Sequence, residues 1–164
     1  MLLEAGKVRP FIVTRFDEQY PEFSPDGRWI AYTSNESGRS EVYATPYPGP
    51  GPRVLISVSG GHSSAWTKSG RELIYLDPVG PNESAPYAVM AVSVTPGPTL
   101  ATGQPRKLFE TPMGVSASAR GYAISSDGSR LLMVQPKPRD VLKPSEIVLV
   151  QNWLDELVRR APAN

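Results

Sequence analysis

Three stretches of the chain share one pattern: a large apolar residue, a short polar turn holding a glycine, then a run of apolar β-formers. The first is Phe23-Ser24-Pro25-Asp26-Gly27-Arg28-Trp29-Ile30-Ala31-Tyr32; the others run from Trp66 through Gly70 to Tyr75 and from Ile124 through Gly128 to Met133. In the first, Pro25 presets φ for the turn, Asp26 can bond its own backbone, and Gly27 accepts the positive φ that closes it. Lys68 and Ser126 stand in place of Pro25, and Ser69 in place of Asp26, so only glycine persists, where a side chain costs most. Asp26 and Asp127 therefore read as turn formers. The runs Ile30 to Thr33, Leu73 to Leu76 and Leu131 to Val134 predict strands.

Around each turn the pattern extends to further strands. The first unit has strands at about 20–24, 28–34 and 41–45; the second at 63–66, 72–76 and 87–95; the third at 121–125, 130–135 and 146–151. A fourth type of segment begins with proline and basic residues, at 9–14, 52–57 and 105–110. Its N-terminal prolines suit edge strands, where a missing N–H is tolerated. Residues 1–8 read as a lead-in and 9–151 as the repeat array. Residues 152–164 read as a C-terminal helix and tail: Asn152 can cap, acids come early and arginines late, and Trp153, Leu154, Leu157 and Val158 form an apolar stripe.

The turn glycines lie 43 and 58 residues apart, and four short strands per unit of about that length match a propeller blade. The run Ser24-Pro25-Asp26-Gly27-Arg28-Trp29-Ile30-Ala31-Tyr32-Thr33-Ser34, followed by Gly38-Arg39-Ser40-Glu41-Val42-Tyr43, resembles the WD40-like repeat of TolB-type β-propellers, which also occur at the C-terminus of some bacterial receptor-like Ser/Thr kinases. The second and third repeats are degraded versions, and no kinase motif is present. The resemblance implies an all-β fold of three four-stranded blades and a scaffold rather than a catalyst. Three blades are too few to close a ring, since propellers have about four to eight. The strand count is balanced but circularly permuted. The expectation is therefore a homodimer forming one six-bladed ring, in which residues 9–14 of each chain complete the other chain's third blade, from Gly121 to Gln151. The competing reading is a piece of a longer propeller.

Composition narrows the function without naming it. The 17 basic and 16 acidic residues nearly cancel, and no basic stretch suggests a nucleic-acid partner. With no cysteine there is no thiol chemistry, and no apolar run approaches the ~20 residues of a membrane span. Residues 1–7 lack the apolar core of a signal peptide, which favours a cytoplasmic chain, or a periplasmic one if it belongs to a longer protein. No cofactor or metal is called for.

Candidate chemistry is sparse. His62, the sole histidine, sits in Gly60-Gly61-His62-Ser63-Ser64, beside serines but in no nucleophile-elbow spacing. Loop acids Asp17, Glu18, Glu36 and Glu83 could face the same rim and supply paired carboxylates. Arg15, Arg39 and Arg120, with Tyr20 and Tyr122, are candidate ligand contacts at the channel mouth, suited to an acidic peptide or small anion. No residue is assigned a catalytic role. The leading reading is a non-enzymatic binding module for a protein or peptide, using loops 35–40, 77–86 and 136–144; the alternative is a hydrolase or lyase with a small-molecule site around His62.

Overall fold

The structure is a computed structural model that describes residues 1–49, 51–80, 86–111 and 120–134. It opens with a hairpin, β1 (Leu2–Glu4) and β2 (Lys7–Arg9). A four-stranded antiparallel sheet follows, in the order β3 (Glu18–Phe23), β4 (Trp29–Ser34), β5 (Glu41–Pro46), β6 (Val54–Leu55). The second sheet comprises β7 (His62–Trp66), β8 (Glu72–Pro78), β9 (Tyr87–Thr95), β10 (Ala101–Thr102) and β11 (Arg106–Thr111). Both β10 and β11 pair with β9, at different points along its length. Last comes the antiparallel pair β12 (Tyr122–Ile124) and β13 (Leu131–Met133).

The three repeated turns close in the same way. Gly27 donates to the Ser24 carbonyl, Gly70 to Thr67 and Gly128 to Ser125, at 2.8–2.9 Å. The glycines have φ of 70°, 68° and 73°, the left-handed region that the repeat reserves for them. Ser24 Oγ receives the Trp29 amide at 3.0 Å and bonds Asp26, which in turn accepts the Arg28 amide. Ser125, Asp127 and Ser129 repeat this set, and their hydroxyls and amide hold the Asp127 carboxyl down to about 2.

Alternation along the second strand of each unit builds the core. Trp29 and Ala31 face the second sheet, where they meet Trp66, Leu73, Tyr75, Val92 and others in one buried cluster. Ile74 and Leu76 point the opposite way and pack with Ala65, Tyr122, Ile124, Leu131 and Met133. The second sheet is thus apolar on both faces and sandwiched between its neighbours. The Trp66 indole N–H also reaches the Glu22 carbonyl, fastening β7 to β3.

The amino-terminal region departs from the expectation of a lead-in at 1–8 and a strand at 9–14. Ala5 and Gly6, both at positive φ, make a two-residue turn that pairs 2–4 with 7–9. Pro10 ends that ladder, since it has no N–H to give. Beyond Arg9 the segment is not a strand within this chain. Phe11 and Ile12 instead line a cavity of about 230 Å³ against Phe23, Ile30 and Tyr32 on the open face of the first sheet. Phe11 lies 5.6 Å from the Tyr47 ring, and Tyr47 donates to Glu4 at 2.6 Å. The expected third strand of the last unit, 146–151, and the expected helix from 152 lie outside the described residues, as do loop residues 81–85 and 136–144. Among the described residues, no helix is long and apolar enough to cross a membrane.

Candidate functional site

The first strands of the units share a local distortion. Tyr20, Ser63 and Gly121 have φ of 52°, 55° and 72°, and each stands three residues before the apolar landmark Phe23, Trp66 or Ile124. The β3–β4 and β7–β8 ladders shift register at this point, a bulge that re-aims the preceding side chain. The residues so placed are Gln19, His62 and Arg120. The equivalence was readable as spacing, but tyrosine, serine and glycine share no side-chain property that would have revealed the conformation.

From this position a chain of contacts runs across the units. Arg120 pairs with Glu22 of β3 at 2.6 Å and lies 5.9 Å from the Tyr122 ring centroid. The Tyr122 hydroxyl donates to the carbonyl oxygens of Ser63 at 2.6 Å and Ile74 at 3.1 Å. Burial pushes the Tyr122 phenol well above its ordinary range. His62 Nδ1 lies 2.9 Å from Ser63 Oγ, and the imidazole meets the Tyr87 ring edge-on at 5.1 Å. The structure therefore brings Arg120, Tyr122 and His62 together, along with Glu22, which the sequence had not singled out. Arg15 stands apart, exposed over the Phe16 ring at 5.2 Å, and Tyr20 is half-buried at the bulge of β3.

Arg39 belongs to a second cluster. Its guanidinium bonds Glu41 at 2.6 Å and the Val58 carbonyl at 3.1 Å. Glu41 is buried and also accepts the Gly60 amide at 3.1 Å and the Ser57 hydroxyl, while Ser57 Oγ receives the Val42 amide. Two of the three candidate arginines are thus already matched by carboxylates, which lowers the rim's appeal to an anion. Neighbouring Asp77 has its carboxyl raised, by burial first and by the Glu41 charge second. Among the described residues, no group of three or more histidines and acids stands ready to hold a metal ion.

The chemistry available to His62 follows from its burial. Desolvation lowers its pKa from 6.5 to about 4, so at neutral pH it is an uncharged imidazole engaged with Ser63. Ser63 itself is fully buried and at strained φ, so its hydroxyl does packing work rather than meeting a substrate. Between its unfolded and folded pKa values His62 takes up a proton in the unfolded chain but not in the folded one. Stability should therefore fall as pH drops from about 6.5 to about 4, by as much as roughly 3 kcal/mol. Asp77 acts with the opposite sign, because its raised pKa favours the folded state on acidification. The difference between wild type and His62→Asn in urea titrations at neutral pH and near pH 4.5 isolates the histidine. The variant should lose less stability on acidification, and identical losses would contradict this assignment.

No protein-family model matches the chain, and no curated protein matches it. Solved structures do. The chain is similar to the putative TolB from Agrobacterium tumefaciens, with TM-score 0.51 and 19% identity over 65% of this chain and 38% of that one. It is also similar to TolB from Acinetobacter baumannii, with TM-score 0.56 and 19% identity over 74% of this chain and 27% of that one. The chain thus spans well under half the length of either. The repeated turns, the antiparallel sheets packed face to face and these likenesses lead to one conclusion: this chain has a TolB-like β-propeller fold.

Proposed function

We propose that the chain is a non-enzymatic scaffold that recognises a protein or peptide through the loop face around residues 35–40 and 57–62. The observation that carries this reading is the state of the His62–Ser63 pair: Ser63 is fully buried, and the half-buried His62 holds its Nδ1 2.9 Å from the Ser63 hydroxyl. A hydrolase built on it would need an exposed nucleophile and a base titrating near neutrality. The propeller-like fold supports a scaffold by offering rigid loops on a packed base, though one fold hosts many functions. A peptide or protein surface suits this face better than a small anion, because Arg39 is already paired with Glu41. The reading includes a second copy as the partner that completes a ring of six blades, with residues 9–14 serving the partner's third unit.

An immobilised array of short peptides of varied charge tests the rim. Wild type should retain a defined subset, and a variant carrying Asn35→Ala and Arg39→Ala should lose that retention by at least about tenfold. Equal retention by the two proteins would contradict the assigned face. Turnover of a model ester or glycoside that is abolished by His62→Asn would instead favour the enzymatic alternative.

A further inference from the structure

Counting from the turn glycines gives each unit an incoming and an outgoing face. Three and five residues after Gly70 stand Leu73 and Tyr75, which pack the second sheet onto the first. Three and five after Gly128 stand Leu131 and Met133, which pack the third unit onto the second. The same count from Gly27 reaches Ile30 and Tyr32. Among the described residues these two meet no other sheet; they are buried under residues 1–12, with the 230 Å³ cavity left between. Outgoing positions fall four and six residues after each glycine. Ile74 and Leu76 occupy them in the second sheet and lie in its core with the third unit. Leu132 and Val134 occupy them in the third unit and are 75% and 67% exposed.

Among the described residues, one end of the array therefore shows an uncovered outgoing face, and the other an incoming face under a loose cover. Among the described residues, no backbone-to-backbone hydrogen bond joins 10–14 to the first sheet. The cover rests on side-chain contacts such as Phe11 with Tyr47 and Glu4 with Tyr47. We propose that the occupant of these faces is a second copy of this chain: Leu132 and Val134 of each copy pack against Ile30 and Tyr32 of the other, displacing the cover formed by residues 1–12. The contact continues the register already used twice inside the chain. Two such head-to-tail contacts close on themselves about a two-fold axis if three units turn the array through half a circle. This inference rests on the scaffold reading only for its ring. A chain that stays single yet retains peptides would refute the pairing and leave the rim intact.

The chain has no cysteine, which makes the contact directly testable. Ile30→Cys and Leu132→Cys are prepared as separate chains, mixed and oxidised. The expected product is a reducible two-chain species containing one of each, in excess over either self-linked pair. Sedimentation of wild type at micromolar concentration should give twice the chain mass. The pair Leu132→Asp with Val134→Asp should weaken association by at least about tenfold while leaving the melting temperature of the single chain unchanged, because both sites are exposed there. A single-chain mass for wild type, or absence of the mixed disulfide, overturns the proposal. So does a lowered single-chain melting temperature in the aspartate variant, which would show that another part of the same chain, such as the apolar stripe at 153–158, covers Leu132 and Val134.

Discussion

Leu73→Ala is expected to cost about 2–5 kcal/mol of stability and to unfold both sheets together rather than the second alone. Leu73 is fully buried at the meeting of the sheets, among Trp29, Val42, Trp66 and Val92. Truncation removes its transfer free energy and leaves a cavity bounded by two rigid walls, which cannot collapse without disturbing both ladders. At roughly 2–4 °C per kcal/mol for a chain of this size, the melting temperature should drop by about 4–20 °C. Circular dichroism melts check this. A loss below 1 kcal/mol would mean that the first and second sheets do not share a tight core.

The second large effect is expected at Glu41. Its carboxylate is buried and accepts bonds from Arg39, the Gly60 amide and the Ser57 hydroxyl. It thereby ties the start of β5 to the segment leading into β7. Arg39 is largely exposed, so on loss of its partner it is rehydrated at little cost. The Gly60 N–H and the Ser57 hydroxyl are not so placed, and each buried donor left without an acceptor costs about 1–3 kcal/mol. Glu41→Ala should therefore destabilise by roughly 2–4 kcal/mol, and Glu41→Gln, which keeps an acceptor oxygen, by clearly less. Urea titrations of the two variants make the comparison. Equal losses would assign the effect to the Arg39 charge pair instead.

The physics of the turn made much of this architecture legible. The steric demand at Gly27, Gly70 and Gly128 leaves a mark that survives the loss of Pro25 and Asp26 equivalents, and alternation after each turn then separates the two faces of the sheet. The amino-terminal hairpin escaped notice because its turn uses Ala5 at positive φ, a conformation alanine rarely adopts and therefore does not advertise. Strand β10 is two residues long and carries no periodicity. A chain of contacts through Ser63 links His62, Tyr122 and Arg120, whereas Arg15 lies apart over the Phe16 ring. Glu22 and Glu41 were missed because an acid on a strand reads as solvated until its partners are known. Here those partners are an arginine 98 residues away and a loop 19 residues away.

Native-state hydrogen exchange at β4 and β5 against β8 and β9 tests most directly whether neighbouring sheets form one core. The amides of all four strands should open with the same free energy, as a single cooperative unit, and those of β12 and β13, where Leu132 is exposed, should open more readily. Protection that persists in β8 and β9 while β4 and β5 exchange freely, or the reverse, would contradict a shared core.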